Sequence, residues 1–362
     1  MIRWREGVVA SVGRRWSGAV ELEVTLTGRI GTDPEVVRAL AYPALVGEPG
    51  PGDRVLLNLN ALALGLGTGG YAMVVAVPDR LPPDQAPLGH IVKARYTPLQ
   101  VTTLAADEPA SPHHAVLAEA DSLDGMPVVT ADLHSALPAI VAGVHAVDPA
   151  IRVAYVMTDG GALPAWFSRT VADLAGVLAG VVTAGQAFGG DLDATNIHSG
   201  LLAARHALAA DVVVVAQGPG NLGTGTRWGY SGTAVGEAVN AAAALGGRPV
   251  GSVRISTADP RPRHRGVSHH CLTAYGRVAL APADLVVPDG LDPVVAADVD
   301  AALAPLAPPH RLGRVGTAGL ALALAASPAT LSTMGRGFAD DPEYFLAAAA
   351  AGRHAATLLT AG

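Results

Sequence analysis

Cysteine is almost missing from this chain. The one thiol, Cys271, excludes an internal disulfide and fits a reducing compartment. Aromatics make up 4% of the residues and charged side chains 15%, whereas half are hydrophobic. The core must therefore be built from Ala, Val and Leu rather than from rings. No run of about 18 uninterrupted apolar residues occurs, so no membrane span is expected. The opening MIRWREGVVASV lacks the apolar centre of a secretory signal, and the expected setting is the cytoplasm. Positive charge is short as well. A net charge of −7 disfavours an extensive nucleic-acid surface, which needs a broad basic face. Also absent are H-E-x-x-H, the G-x-x-x-x-G-K-[ST] loop of ordinary nucleoside-triphosphate hydrolysis, and the G-x-S-x-G elbow.

What is present divides into two textures. Residues 1–105 read as a small β-rich domain, a barrel or a sandwich. In AVELEVTL, Val20, Leu22, Val24 and Leu26 alternate with Ala19, Glu21, Glu23 and Thr25, the period of a strand wet on one face. EPGPGD at 48–53 and GLGTGG at 65–70 punctuate further short strands. HIVKARYTPLQVTTLAA is strand-like and either closes this domain or bridges to the next. Residues 106–362 read as an α/β domain, a layered and mostly parallel sheet with helices. There MPVVTADLH, IRVAYVMTDGG, GVVTAGQAFGGD and DVVVVAQGPGNLGTG each precede a helix-like segment. VVVVA at 212–216 does not alternate, as a strand buried on both faces should not.

Ligands of open parallel sheets bind outside the carboxyl ends of the strands, so the strand-to-helix junctions carry the functional expectation. These supply Asp132 and His134, then Asp159, then Gln186 to Asp191, then the glycine loop with Gly218, Gly220, Asn221, Gly223 and Gly225. The fifth junction is TADPRPRHRGVSHH, with Arg261, Arg263, Arg265, His264, His269 and His270. Glycine lets backbone amides approach an anion, arginine clamps carboxylate or phosphate, and histidine moves protons near neutral pH. Turns and helix caps use the same residue types, so each junction alone also fits a structural role. GPGNLG has the G-x-G-x-x-G spacing, but the next helix starts late and the ribose-binding acid is not evident. A glycine loop facing phosphate or carboxylate suits it better than a nicotinamide or flavin site, and the cofactor stays open. Asp132 and His134, with Asp159, Asp191, Asp193, His198, His269 and His270, offer nitrogen and oxygen ligands, but their spacing names no metal. Cys271 beside two histidines is weak evidence for a reactive thiolate.

TADLHS, GPGNLGTGTRWGYSGTAVGEAVNAA and RHRGVSHHCLTAYG together resemble a bacterial family of unknown function found in actinobacteria and firmicutes. The resemblance runs over nearly the whole chain and implies a bacterial protein without assigning an activity or a cofactor. The leading expectation is an enzyme, a hydrolase or transferase, acting on a small anionic molecule. In it Gly218 to Gly225 and the three arginines hold the anion, His269 or His270 is the acid or base, and Asp132, His134 and Asp159 position substrate or a divalent ion. The alternative is a non-catalytic ligand sensor or assembly protein that binds its partner through the β domain. A homo-oligomer stays open in either case.

Overall fold

The computed structural model describes residues 2–84, 86 and 89–360. The chain forms two compact units, residues 1–86 and 87–362. In the first, β1 (Trp4–Trp16), β2 (Ala19–Leu26), β3 (Val36–Ala41), β4 (Arg54–Asn58) and β5 (Ala72–Ala76) close a barrel in the order β1-β2-β3-β5-β4. The alternation in β2 is realised: Val20, Leu22, Val24 and Leu26 are buried. The long β1 pairs with both β2 and β4 and carries two register shifts against β2, which let it bend. A Cβ at Gly7 would lie 2.5 Å from Val24 Cγ1, so this crossing requires glycine. The barrel closes without residues 91–103. Those make a separate antiparallel hairpin, β6 (Ile91–Lys93) with β7 (Val101–Thr103).

The second unit is an α/β fold on an eight-stranded, all-parallel sheet. Its strands are β8 (Pro127–Ala131), β9 (Val153–Thr158), β10 (Gly180–Ala184), β11 (Leu192–Ala194), β12 (Val212–Gln217), β13 (Arg248–Ser252), β16 (Asp284–Pro288) and β17 (Arg311–Val315). They lie in the order β11-β10-β9-β12-β8-β13-β16-β17. A short antiparallel pair, β14 (Ile255–Ser256) and β15 (Gly266–Val267), follows β13. β12 is buried along its length. Val212, Val214 and Ala216 enter one apolar cluster, while Val213 and Val215 enter the cluster on the opposite face. The helix Leu137–His145, which follows β8, joins the first face, and Ala238, Ala241 and Ala242 of the helix Ala234–Ala244, which follows β12, join the second. Adjacent strands thus send their helices to opposite sides. That opens a crevice between the carboxyl ends of β8 and β12, the switch point at which such sheets bind ligands.

Two segments depart from their sequence pattern. Residues 163–180 read as one helix but form a 3-10 turn (Ala165–Phe167) and a single helical turn (Arg169–Asp173). Extended backbone at Pro164 and Ser168 separates these pieces from a longer helix. Three residues after Gly189–Asp191 add the edge strand β11, too short to leave a periodic signal.

Candidate functional site

Asp132 is the first residue beyond β8 and is only 4% exposed. Arg254 follows β13, on the other side, and is equally buried. Its Nη1 lies 3.6 Å from Asp132 Oδ2 and its Nη2 3.1 Å from Asp259 Oδ2. Asp259 is fully buried because cations surround it. Arg261 holds it at 2.9 Å through both Nε and Nη2, and Arg336 reaches it at 3.3 Å. Arg336 Nε also donates to Asp341 at 3.0 Å, and the Ser256 hydroxyl donates to the same carboxylate at 2.8 Å. Three arginines therefore meet three aspartates, which offsets the desolvation that would make any one of them costly alone. Burial by itself would raise the Asp132 pKa. The adjacent His270 and the charge of Arg254 outweigh it and hold the carboxyl below its usual value.

Three histidines adjoin this network. His264 ends a 3-10 turn (Pro262–His264), while His269 and His270 open the short helix His269–Thr273. Ser268 caps that helix. Its Oγ accepts the His270 amide at 3.3 Å and pairs with His264 Nδ1 at 2.8 Å. The ring centroids lie 4.4 Å (His269–His270), 4.9 Å (His264–His270) and 5.0 Å (His264–His269) apart. Tyr230 fixes His270 from the glycine-loop side. Its ring stacks at 3.8 Å and 3°, and its hydroxyl donates to the His270 carbonyl at 2.8 Å. His270 Nδ1 is 3.7 Å from Asp132 Oδ2. Burial, then the neighbours Arg254, Arg261 and His270, push His264 down to about 3. Burial, then His270 and Arg263, push His269 down to about 4. Both rings are neutral near pH 7 and keep a lone pair.

Several buried atoms here have no hydrogen-bond partner: Asp132 Oδ2, His269 Nε2, His270 Nδ1, Arg254 Nε and Gln217 Oε1. Buried polar groups are nearly always satisfied, so such a concentration sets this place apart from the rest of the described interior. A small cavity adjoins Asp132, lined in part by Ala131, Thr158, Gln217, Ser231 and Gly232.

Asp132, His269 and His270 thus come together. His134 is buried with both ring nitrogens engaged, Nδ1 with the Tyr155 hydroxyl at 3.0 Å and Nε2 with Ser168 Oγ at 2.7 Å, and burial pushes it down to about 4. Asp159 Oδ2 accepts the Gln186 amide at 2.8 Å, bracing the turns after β9 and β10. In the glycine loop, Gly218 passes so close to the β9 turn that a Cβ would lie 2.4 Å from the Ala162 carbonyl oxygen. Gly220 and Gly225 take positive φ, 95° and 80°. Asn221 Oδ1 accepts the Ser231 hydroxyl at 2.9 Å, and Gly223 bridges to Tyr230. Arg261 is bound to Asp259, and Arg265 Nε donates to the Asp259 carbonyl at 3.0 Å. Arg263 is exposed, and its charge reaches His269. Cys271 is buried and accepts the Arg254 amide at 3.2 Å, and burial pushes its thiol well up. A buried protonated thiol is a poor nucleophile.

Sequence reasoning passed over Arg254, Tyr230, Arg336 and Asp341 as site residues. Arg254 had one legible signal, a lone cation closing an apolar strand. Arg336 and Asp341 come from an irregular stretch with no pattern of its own.

The profile of a family described as "Protein of unknown function (DUF3866)" matches residues 38–352 of the chain. No curated protein and no solved structure matches it.

Proposed function

Because the chain belongs to DUF3866, a family of proteins of unknown function, its chemistry has to be read from the site, and we propose an enzyme, a hydrolase or group transferase, acting on a small anionic metabolite. One observation carries this reading: Asp132 Oδ2, at the crevice between β8 and β12, and the adjacent His269 Nε2 and His270 Nδ1 are buried without a hydrogen-bond partner. In this reading Asp132 is the base that takes the proton of an attacking water or hydroxyl. Arg254 and His270 keep it ionised and oriented. The histidine rings border the reacting centre. Arg263 and the backbone of Gly218, Gly220, Asn221, Gly223 and Gly225 meet the anionic group. Arg261 and Arg265 shape the wall through Asp259, and His134 and Asp159 buttress the turns behind it.

The test is a thermal-shift panel of phosphate monoesters and small carboxylates, followed by mass spectrometry of products from every compound that stabilises the protein. Asp132→Asn keeps the side-chain volume and removes the base. It is expected to lower kcat/KM by ~10²–10⁴-fold. Turnover that Asp132→Asn leaves unchanged refutes the assigned role.

A further inference from the structure

Among the described residues, the group of three or more metal-capable side chains that converges is His264, His269 and His270, one ligand nitrogen of each lying within 4.8 Å of the others. A second, independent feature points to a ligand there. His269 Nε2 and His270 Nδ1 are buried without a hydrogen-bond partner, and so is Asp132 Oδ2, 3.7 Å from His270 Nδ1. From these we infer that the three histidines hold a divalent transition-metal ion, with Asp132 supplying the adjoining negative charge.

The surroundings fit a metal ligand set. Ser268 holds His264 Nδ1 at 2.8 Å, the kind of orienting contact that ligand histidines carry. Tyr230 stacking sets the plane of the His270 ring. Bonds of about 2.0–2.1 Å in a tetrahedron put ligand nitrogens about 3.3 Å apart, so small rotations of the rings close the set. His269 and His270 are only partly buried. The nearby cations do not forbid an ion, since Asp259 and Asp341 already pair Arg254, Arg261 and Arg336. Three imidazoles form a nitrogen donor set that suits Zn²⁺ rather than Ca²⁺ or Mg²⁺, and three protein ligands leave the fourth position of a tetrahedron open. This ion deepens the hydrolase or transferase reading by supplying an activated water beside Asp132. It nevertheless rests on ligand geometry and stands or falls separately.

Untagged full-length protein, stripped with a chelator and dialysed, is titrated calorimetrically with ZnCl2 alone. One ion per chain, bound with micromolar or tighter Kd, is expected. Co²⁺ in its place should give the intense visible absorption of a tetrahedral site. His269→Asn and His264→Gln, each checked for wild-type circular dichroism, should weaken Zn²⁺ by more than about 100-fold and abolish that absorption. His198→Asn, outside the cluster, should do neither. Sub-stoichiometric or absent Zn²⁺ binding by the wild type overturns the site, as does full binding by both cluster variants. Zn²⁺ binding of this kind without turnover of any panel compound counts against the enzyme and leaves the metal site standing. Turnover by stripped protein that binds no Zn²⁺ does the reverse.

Discussion

Single carboxylates do much of the ordering in this α/β unit, and Asp284 shows how. It opens β16, is 3% exposed, and collects Arg248 at 3.0 Å, His354 at 2.9 Å and Arg311. Burial alone would raise its pKa. Hydrogen bonds from His354 and Arg311, with the charges of Arg311 and Arg248, outweigh burial and hold it down to about 2. A folded pKa below the unfolded one means the group stabilises the native state at neutral pH. That contribution is whole above about pH 4 and is lost as pH falls through about 2. The expected size is about 2 kcal/mol, reduced by salt because the two arginines are half exposed. Urea midpoints of wild type and Asp284→Asn should differ at pH 7 and converge toward pH 2. A gap that stays constant over that range removes the linkage.

At the scale of elements, the alanine-rich composition finds its use in one helix crossing. The helix Pro342–Thr360 lies against Leu137–His145, and the contact is glycine on both sides. A Cβ at Gly143 would sit 1.9 Å from the Ala349 carbonyl oxygen, and one at Gly352 would sit 2.0 Å from that of Ile140. These are backbone atoms of packed helices, so neither can give way cheaply. Alanine favours a helix over glycine by roughly 1 kcal/mol, yet Gly352→Ala should destabilise by about 3 kcal/mol, the upper end of overpacking. Gly176→Ala, at an exposed position with nothing within 4 Å, should stay near zero. Equal urea midpoints for the two variants would exclude the close crossing. The crossing was only partly legible beforehand. Alanine and glycine runs announce that helices can approach, but not which helix meets which. The same limit governed the site. Asp132, His269 and His270 were readable because strand ends and polar junctions are local features. The contacts Arg254–Asp132, Arg336–Asp259 and Ser256–Asp341 each join segments more than 70 residues apart, and nothing local in the sequence encodes such pairings. The α/β pattern was legible for its own physical reason: a central strand such as β12 must be apolar on both faces.

On the scale of the whole molecule, each apolar cluster of the described residues draws on one unit. The barrel cluster draws on residues between Val9 and Val77, and the three clusters of the other unit on residues between Ala106 and Ala356. A closed barrel has no open edge needing a partner strand, and its buried residues, Val24, Val55 and Leu57 among them, come from its own strands. Each unit therefore has the means to fold alone. Residues 1–86 expressed by themselves should give dispersed amide resonances and a single cooperative urea transition, worth about 4–13 kcal/mol at the usual stability per residue. So short a chain buries a smaller fraction of its surface than a large domain, and the lower half of that range is the better expectation. Residues 87–362 alone should keep the Zn²⁺ stoichiometry of the full chain, since every ligand proposed for the ion lies beyond Ala131. A collapsed amide spectrum for 1–86 would mean that the barrel needs the rest of the chain to fold. Loss of Zn²⁺ binding by a well-folded 87–362 would mean that the site draws on residues of the barrel.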